Sequence, residues 1–430
     1  MSRHCKGSAI RDRGSGTKSV RVLDNGLRVV LVPCEAESVA VGIFIASGSR
    51  HEDAKSAGIS HFIEHMLFKG TPTRKPIDIT RAIEGRGGNF NACTSEESTC
   101  YFAHLPDEYL AEAVDILSDM YLRATVPDDE FVREKQVVIE EIKMYADEPD
   151  AVAMENLQRA LFPKSRLGAP VAGSEKTLAP LKPSDLRDYI KSHYRPDNTV
   201  VVLSGHFDEG KALALLERTF GGLAARRAPK SAPDKPLAGR PVAVTKVAKD
   251  VQQTQLVLGY RTFGVHDRRR FALTVLDAVL GRGMSSRLFQ EVREKRGLSY
   301  DISSRVSYFD DAGMLTIAAG LDPAKAELAL ATIDRELRKV CEKKVSAAEL
   351  KRVKEFLVGN FRLGHERVTS KMFYYSSTVL TRGRIVTPEE QIKSVLAVTP
   401  DDVLSVARTI FRPSNRAVSW VVPKSPVSQR

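Results

Sequence analysis

Two histidines and a glutamate stand close together early in the chain, as His61, Glu64 and His65. Residues four apart lie on the same face of an α-helix, so a helix here would present both imidazoles with the Glu64 carboxylate beside them. This spacing indicates a site for a zinc ion. The alternative is a pair of core histidines bonded to backbone carbonyls. It is less favoured, because the chain has only 9 histidines among 430 residues.

A helix over this segment is predicted by apolar residues that recur at helical spacing and by the stop signal of Gly70. These apolar residues are Ile59, Phe62, Ile63, Met66 and Leu67. A catalytic zinc ion usually has three protein ligands and a water molecule. The two histidines therefore need another donor from elsewhere in the chain.

The segment 127–145 is predicted to form a second helix, with Asp128 or Asp129 as its N-cap. Within it, Glu134 and Glu141 fall on one face together with two valines. Carboxylates on a partly apolar face need a cation to compensate their charge. Either glutamate could supply the missing donor on this evidence.

These motifs resemble the inverzincin metallopeptidases, the superfamily of pitrilysin, insulin-degrading enzyme and mitochondrial processing peptidase, in which a distant glutamate follows His-x-x-Glu-His. Here Glu141 lies 76 residues after His65 and matches that glutamate. The resemblance implies that His61, His65 and Glu141 bind one zinc ion per chain. It also implies that Glu64 is the general base and that Glu134 orients a ligand.

Two further segments resemble parts of this family that contact substrate. The segment 87–101 is similar to its substrate-binding edge strand, which would place Asn89 and Asn91 near the site; an ordinary hairpin without a ligand is the alternative. An edge strand can accept an extended peptide as an added strand. Farther along, Arg293 and Tyr300 match residues that contact the substrate backbone and polarise the scissile carbonyl. Without the resemblance, Arg293 would be read as part of a solvated helix face.

The length and the apolar content of 42% suggest two domains rather than one core. We predict a disordered extension at 1–19, a catalytic zinc-binding domain at 20–223 and a linker at 224–241, which is rich in proline, alanine and charge. A second homologous domain at 242–425 would carry the Arg/Tyr pair. The mixture of strands and helices in each copy predicts an α+β fold of two α/β-sandwich domains.

The second domain reads as a duplicate of the first that has lost its metal site. The helices predicted at 107–120 and 128–145 recur as 323–340 and 346–361, and aligning them places Asn360 opposite Glu141. In the superfamily, four such domains enclose a chamber, so this chain would be half of a clamshell. Because it carries both the zinc motif and the Arg/Tyr pair, a homodimer could complete two sites.

Composition excludes several other classes of protein. The net charge of +11 is spread among acids without a nucleic-acid-binding motif, which argues against a nucleic-acid partner. No segment is apolar enough for a membrane span, and residues 1–19 lack the core of a secretion signal. Five cysteines without a Cys-x-x-Cys pair suit a reducing compartment; Cys93 and Cys100 could meet across a hairpin, although a disulfide is not expected. We therefore expect a cytoplasmic protein.

The sequence as a whole predicts a zinc endopeptidase that acts on extended peptides or flexible, unfolded protein segments inside a dimeric chamber. The alternative is a catalytically silent scaffold, or a partner subunit of a complex like the processing peptidase. The presence of all four residues His61, Glu64, His65 and Glu141 speaks against a silent protein, since a scaffold has no need of them.

Overall fold

The computed structural model describes most of the chain in two compact units, each with its own sheet. The described residues are 11–13, 20–225, 228–229 and 244–424. Nearly all of the predicted extension and most of the predicted linker lie outside the described residues. The first unit contains the described residues within Met1–Ile142, Pro170–Ala232 and Leu363–Val386; the second contains those within Lys143–Ala169, Pro233–Arg362 and Thr387–Arg430.

The described elements fall into runs of strands and runs of helices, as expected for the α+β fold. The strands are β1 Arg11–Arg13, β2 Val20–Val22, β3 Arg28–Pro33, β4 Ser38–Ile45, β5 Asn89–Thr94, β6 Thr99–Pro106, β7 Thr199–Gly205, β8 Val244–Lys249, β9 Thr254–Phe263, β10 Ser299–Tyr308, β11 Ala312–Leu321 and β12 Arg416–Pro423. The helices are α1 Ile59–Leu67, α2 Pro76–Glu84, α3 Leu110–Arg123, α4 Asp128–Asp147, α5 Pro149–Leu161, α6 Glu175–Leu178, α7 Pro183–His193, α8 Glu209–Phe220, α9 Arg270–Gly281, α10 Ala326–Glu342, α11 Ala347–Gly364, α12 Val368–Arg382, α13 Pro388–Leu396 and α14 Pro400–Ile410.

The two sheets repeat one topology. The first has the strand order β1-β2-β3-β7-β4-β6-β5, in which only β3 and β7 are parallel neighbours among the described strands. The second has the order β10-β11-β9-β12-β8, in which β8 and β12 are the parallel pair. The five strands β3-β7-β4-β6-β5 of the first sheet correspond to β8-β12-β9-β11-β10 of the second, both in order and in strand direction. The second sheet thus has the topology that an internal duplication would produce.

The centre of the first sheet is buried on both faces, which explains why every residue of β7 is buried. Val41 and Ile43 on one face of β4 belong to the same apolar cluster as Phe62 of α1. On the other face, Val200 and Val202 pack with residues of α12, which comes from the second half of the chain.

A corresponding exchange occurs in the second unit, where α5 from the first half of the chain packs against β9 and β12. Leu157 and Leu161 of α5 cluster with Val257 and Val421 of these strands. Each unit therefore includes one helix from the other half of the chain. Among the described residues, no helix combines the length and the apolar character needed to cross a membrane.

Candidate metal centre

Helix α1 carries His61 and His65 and is anchored by its apolar side. Phe62 and Met66 are fully buried in the core of the first unit, so the turns that carry the imidazoles are fixed in place. At the start of the helix, Gly58 has a φ of 95°, and a Cβ atom there would lie 2.5 Å from the carbonyl oxygen of Ala172. Glycine is therefore required at the point where the chain turns into α1.

The N-terminus of α1 is held by a buried acid, Glu52. Its two carboxylate oxygens accept hydrogen bonds from the backbone N–H groups of Gly58, at 2.7 Å, and Ser60, at 2.8 Å. A negative charge here also interacts favourably with the dipole of the helix. Glu52 thus fixes the first turn, directly before His61.

Helix α4 supplies the two acidic residues predicted for the site. Glu134 is buried with an exposed fraction of 7%, and Glu141 is half-buried two turns later. Val138 lies in the core between them, whereas Val137 is 50% exposed. The buried face of α4 is therefore narrower than a face containing both valines, and it includes the carboxylates together with Val138.

Side chains from α1 and α4 converge on one point. His61 Nε2 lies 3.7 Å from one oxygen of Glu141, and His65 Nε2 lies 3.3 Å from the other. One ligand atom from each of the three residues lies within 4.8 Å of the others. Ligands bound tetrahedrally at zinc distances are separated by about 3.3 Å, so only small side-chain movements would be needed.

The chemistry of this donor set fits zinc. Two imidazoles with one carboxylate form the kind of site that leaves a coordination position open for water or substrate, and imidazoles favour zinc over calcium or magnesium. Among the described residues this is the only cluster of three or more His, Cys, Asp or Glu side chains able to hold a metal ion. Burial, followed by the charge of His65, lowers the pKa of His61, which favours its neutral, metal-binding form.

Glu134 contacts His65 at the ring nitrogen that does not face Glu141. Its Oε1 lies 2.9 Å from His65 Nδ1, and its Oε2 forms an ion pair of 2.6 Å with Lys69 Nζ. Burial alone would raise the pKa of Glu134, but the bonds to His65 and Lys69 outweigh burial and lower it. Burial likewise opposes protonation of His65, but Glu134 and Glu141 together raise its pKa. The ionised Glu134 thus orients the ring so that Nε2 faces Glu141.

Glu64 lies on α1 beside the three converging side chains without being one of them. Thr94 of β5 donates a hydrogen bond of 2.5 Å to Glu64 Oε2. Burial raises the pKa of Glu64, while the bond from Thr94 and the charge of His65 act in the opposite direction. A carboxylate with a raised pKa is suited to accepting a proton near neutral pH.

The hairpin predicted for this region is present as β5 and β6, and β5 forms one edge of the sheet built by the described residues. Asn89 and Asn91 lie on β5 with exposed side chains, on the face opposite Thr94. Asn91 Oδ1 accepts a hydrogen bond from the N–H of Ala92. The structure therefore places both asparagines on the edge strand that follows α1 and α2.

Arg293 and Tyr300 belong to the second unit. Arg293 lies in a π-helical segment, Phe289–Glu294, and its guanidinium carbon is 4.9 Å from the centre of the Tyr300 ring. Tyr300 is 80% exposed at the start of β10. The cation and the phenol thus form a contacting pair on the surface of their own unit.

Comparison with known proteins decides the family. A model described as insulinase (peptidase family M16) matches residues 28–175, and one described as the peptidase M16 inactive domain matches residues 180–357. The chain belongs to peptidase family M16. The family resemblance drawn from the motifs is therefore confirmed, as is the fold of two α+β domains.

Relatives cover most of the chain. A protein named as an uncharacterized zinc protease of Bacillus subtilis is 38% identical over 90% of this chain and 94% of its own length. One of Streptomyces coelicolor is 34% identical over 94% of this chain and 90% of its own length. Among solved structures, a protease from Helicobacter pylori has a TM-score of 0.89 at 23% identity, covering 95% of this chain and 99% of that chain. A peptidase M16 inactive domain from Pseudomonas fluorescens has a TM-score of 0.87 at 18% identity, covering the same shares.

Three residues that support the site are absent from the sequence-based prediction: Glu52, Lys69 and Thr94. Glu52 lies in an irregular segment, where no periodicity marks a residue that will cap a helix. Lys69 follows the predicted helix as an ordinary charged residue, and its partner is 65 positions later. Thr94 lies on the hairpin expected to reach the site, but its side chain is on the face of β5 opposite the two asparagines singled out from the sequence.

Proposed function

We propose that the chain is a zinc-dependent endopeptidase that hydrolyses extended peptides or flexible protein segments. The observation that supports this most directly is the convergence of His61, His65 and Glu141, with Glu64 beside them. These three side chains would hold the ion, and a bound zinc ion would supply Lewis-acid activation at near-neutral pH. The zinc-protease names of the relatives agree with this proposal.

Glu64 would transfer the protons of the reaction. It would take a proton from the attacking water and later pass it to the leaving amine, since a group with a raised pKa can do both near neutral pH. Thr94 would keep the Glu64 carboxylate in position through its hydrogen bond. Glu134 would keep the His65 ring in the orientation that the metal requires.

Strand β5 would bind the substrate. Its outer edge offers backbone groups to an extended peptide. Such an edge recognises the main chain of the peptide more than its side-chain sequence. Asn89 and Asn91 are exposed on this strand and would contact the added peptide. This mode of binding favours unfolded segments over compact proteins.

Arg293 and Tyr300 would assist the reaction as contributions of a second copy of the chain. Their contact and exposure suit a pair that meets a substrate held by another protomer. A guanidinium and a phenol can stabilise the negative charge that develops on the scissile carbonyl oxygen. We therefore propose a homodimer, and a native mass equal to one chain at working concentrations would contradict this part of the proposal.

Glu64→Gln tests the chemistry. The amide keeps the shape of the side chain but cannot accept the proton, so we expect the variant to bind zinc with wild-type stoichiometry and to lose hydrolysis of a quenched peptide. Elemental analysis and the peptide assay, with and without a chelator, measure the two properties on one sample. Full activity of Glu64→Gln would overturn its assignment as the base.

Glu141→Ala tests the third ligand. With only two imidazoles left, we expect metal content and hydrolysis to fall together. Unchanged stoichiometric zinc in this variant would mean that a different residue completes the site. A wild-type protein that binds zinc but hydrolyses no peptide of any length would instead favour the silent partner subunit.

A further inference from the structure

The hairpin that ends beside the metal centre carries two cysteines that face each other. Cys93 of β5 and Cys100 of β6 are paired in the register of the two strands, and their sulfur atoms lie 2.8 Å apart. Directly opposed residues of antiparallel strands have Cα atoms about 4.5 to 5.5 Å apart, which falls within the range that a disulfide spans. The sulfurs need only approach by less than about 1 Å to reach bonding distance.

The two thiols have unequal environments. Cys93 is exposed, whereas Cys100 has an exposed fraction of 3% and packs in the apolar cluster under α12. The hydrogen bond from Cys100 lowers the pKa of Cys93, and it raises the pKa of Cys100 together with burial. An accessible thiol that ionises more readily, next to a buried neighbour, is the arrangement of a cysteine that peroxide oxidises first and that its neighbour then resolves.

We propose that Cys93 and Cys100 form a redox-reactive dithiol, which hydroperoxides convert into a cross-strand disulfide. In the first step the Cys93 thiolate attacks one oxygen of hydrogen peroxide, the O–O bond breaks, and hydroxide leaves with a Cys93 sulfenic acid remaining. In the second step the Cys100 sulfur displaces that hydroxyl group, which departs as water with the thiol proton. Overall, two thiols and one peroxide yield one disulfide and two water molecules.

The position of the pair links its oxidation to the metal centre. Thr94, the neighbour of Cys93, donates the hydrogen bond to Glu64. Forming the disulfide would draw β5 toward β6 at the adjacent residue and change the direction from which Thr94 reaches Glu64. We therefore expect slower peptide hydrolysis in the oxidised protein. This expected loss of hydrolysis rests on the proposed function, whereas the formation of the disulfide does not.

The test of the disulfide uses the full chain, hydrogen peroxide and mass spectrometry after alkylation of the remaining thiols. Cys93 and Cys100 share one tryptic peptide, residues 87–123, because no lysine or arginine lies between its ends. After mild peroxide, this peptide should escape alkylation at both cysteines and weigh about 2 Da less than the reduced form. A phosphine reductant should restore both alkylation sites.

Internal controls are provided by Cys34 and Cys341, which lie on other tryptic peptides and should remain alkylated. In Cys93→Ser, Cys100 should also remain available for alkylation after peroxide, since it lacks the exposed partner that reacts first. The selectivity for the pair should vanish in denaturant, because it depends on the hairpin. The proposal is overturned if Cys93 and Cys100 are still alkylated when Cys34 or Cys341 has been oxidised, or if Cys93 stops at an acid without linking.

The link to activity is tested by the quenched-peptide assay on the fully oxidised and re-reduced protein. We expect the rate to fall on oxidation, to recover on reduction and to be insensitive to the same treatment in Cys93→Ser. An unchanged rate in protein shown by mass to be fully linked would overturn the connection between the disulfide and Glu64. A protein without any hydrolytic activity would contradict the proposed function, but the mass measurement would still decide whether the disulfide forms.

Discussion

Glu134→Gln isolates the contribution of the carboxylate behind His65. The substitution keeps the size of the side chain and leaves an oxygen that can accept from His65 Nδ1, but it removes the negative charge. That charge is the partner of both His65 and Lys69 in the structure. The imidazole would therefore be less firmly oriented and less basic towards a metal ion.

The expected cost follows from the role of such outer carboxylates. Loss of a residue that orients a metal-binding histidine typically weakens metal affinity by about 10- to 100-fold, or about 1.4 to 2.7 kcal/mol. A second effect acts in the opposite direction. Glu134 raises the pKa of His65, so its removal also weakens the competition of protons with zinc. Measuring at about pH 8, above the ordinary pKa of histidine, minimises this compensation.

The assay is a competition titration of zinc between the metal-free protein and a chromophoric chelator. Glu140→Gln is the matched control, since it removes the same charge from the same helix at an exposed position. We expect weaker zinc binding for Glu134→Gln and near wild-type binding for Glu140→Gln. Equal affinities for both variants, with circular dichroism showing intact folds, would refute the reasoning that Glu134 acts through His65.

Two further predictions concern the elements around the site. Thr94→Val should keep zinc but lower the kcat of peptide hydrolysis with little change in KM, because Glu64 loses its hydrogen bond; Thr94→Ser should restore most of the activity, and equal rates for both variants would contradict this role. Asp119 is buried and forms ion pairs with Arg74 and Arg123, so Asp119→Asn should lower the free energy of unfolding by about 2 kcal/mol at pH 7 in denaturant titrations of the metal-free protein. Burial opposes ionisation, but the hydrogen bond from Thr71 and the bonds from Arg123 and Arg74 lower the pKa of Asp119 below 3.8, so this stabilisation is present above that pH and is lost as the pH falls through the folded pKa. The difference between wild type and variant should therefore shrink on acidification, and a difference independent of pH would count against the ion pairs.

Elements with strong local patterns could be predicted from the sequence. The helix around the two histidines was expected from its apolar spacing and is observed as α1, Ile59–Leu67. The hairpin was expected from glycines and alternation and is observed as β5 and β6. The family was expected from the spacing of the motifs and is confirmed. The metal-binding roles of His61, His65 and Glu141 stay a prediction, which their convergence supports.

The exchange of helices between the two halves of the chain could not be predicted in this way. The pattern of α12 shows that it has an apolar side, but both sheets need apolar covers, and hydrophobicity does not specify which sheet a helix will cover. Glu52 illustrates the same limit at the level of one side chain. Its importance depends on a helix terminus that folding brings close. The sequence alone does not distinguish such a residue from other acidic residues in irregular segments.

The exchange has a consequence for the candidate metal centre. Strand β4 precedes α1, and β7 lies beside β4 in the centre of the sheet. Met372 and Tyr375 of α12 are almost fully buried against the face of this sheet that lies opposite α1. Without that cover, the buried valines of β7 would be exposed to water, at a cost that grows with each apolar side chain. The sheet that supports His61 and His65 is therefore stabilised by a helix that the chain supplies more than 300 residues later. This packing couples the integrity of the site to the folding of both halves of the chain.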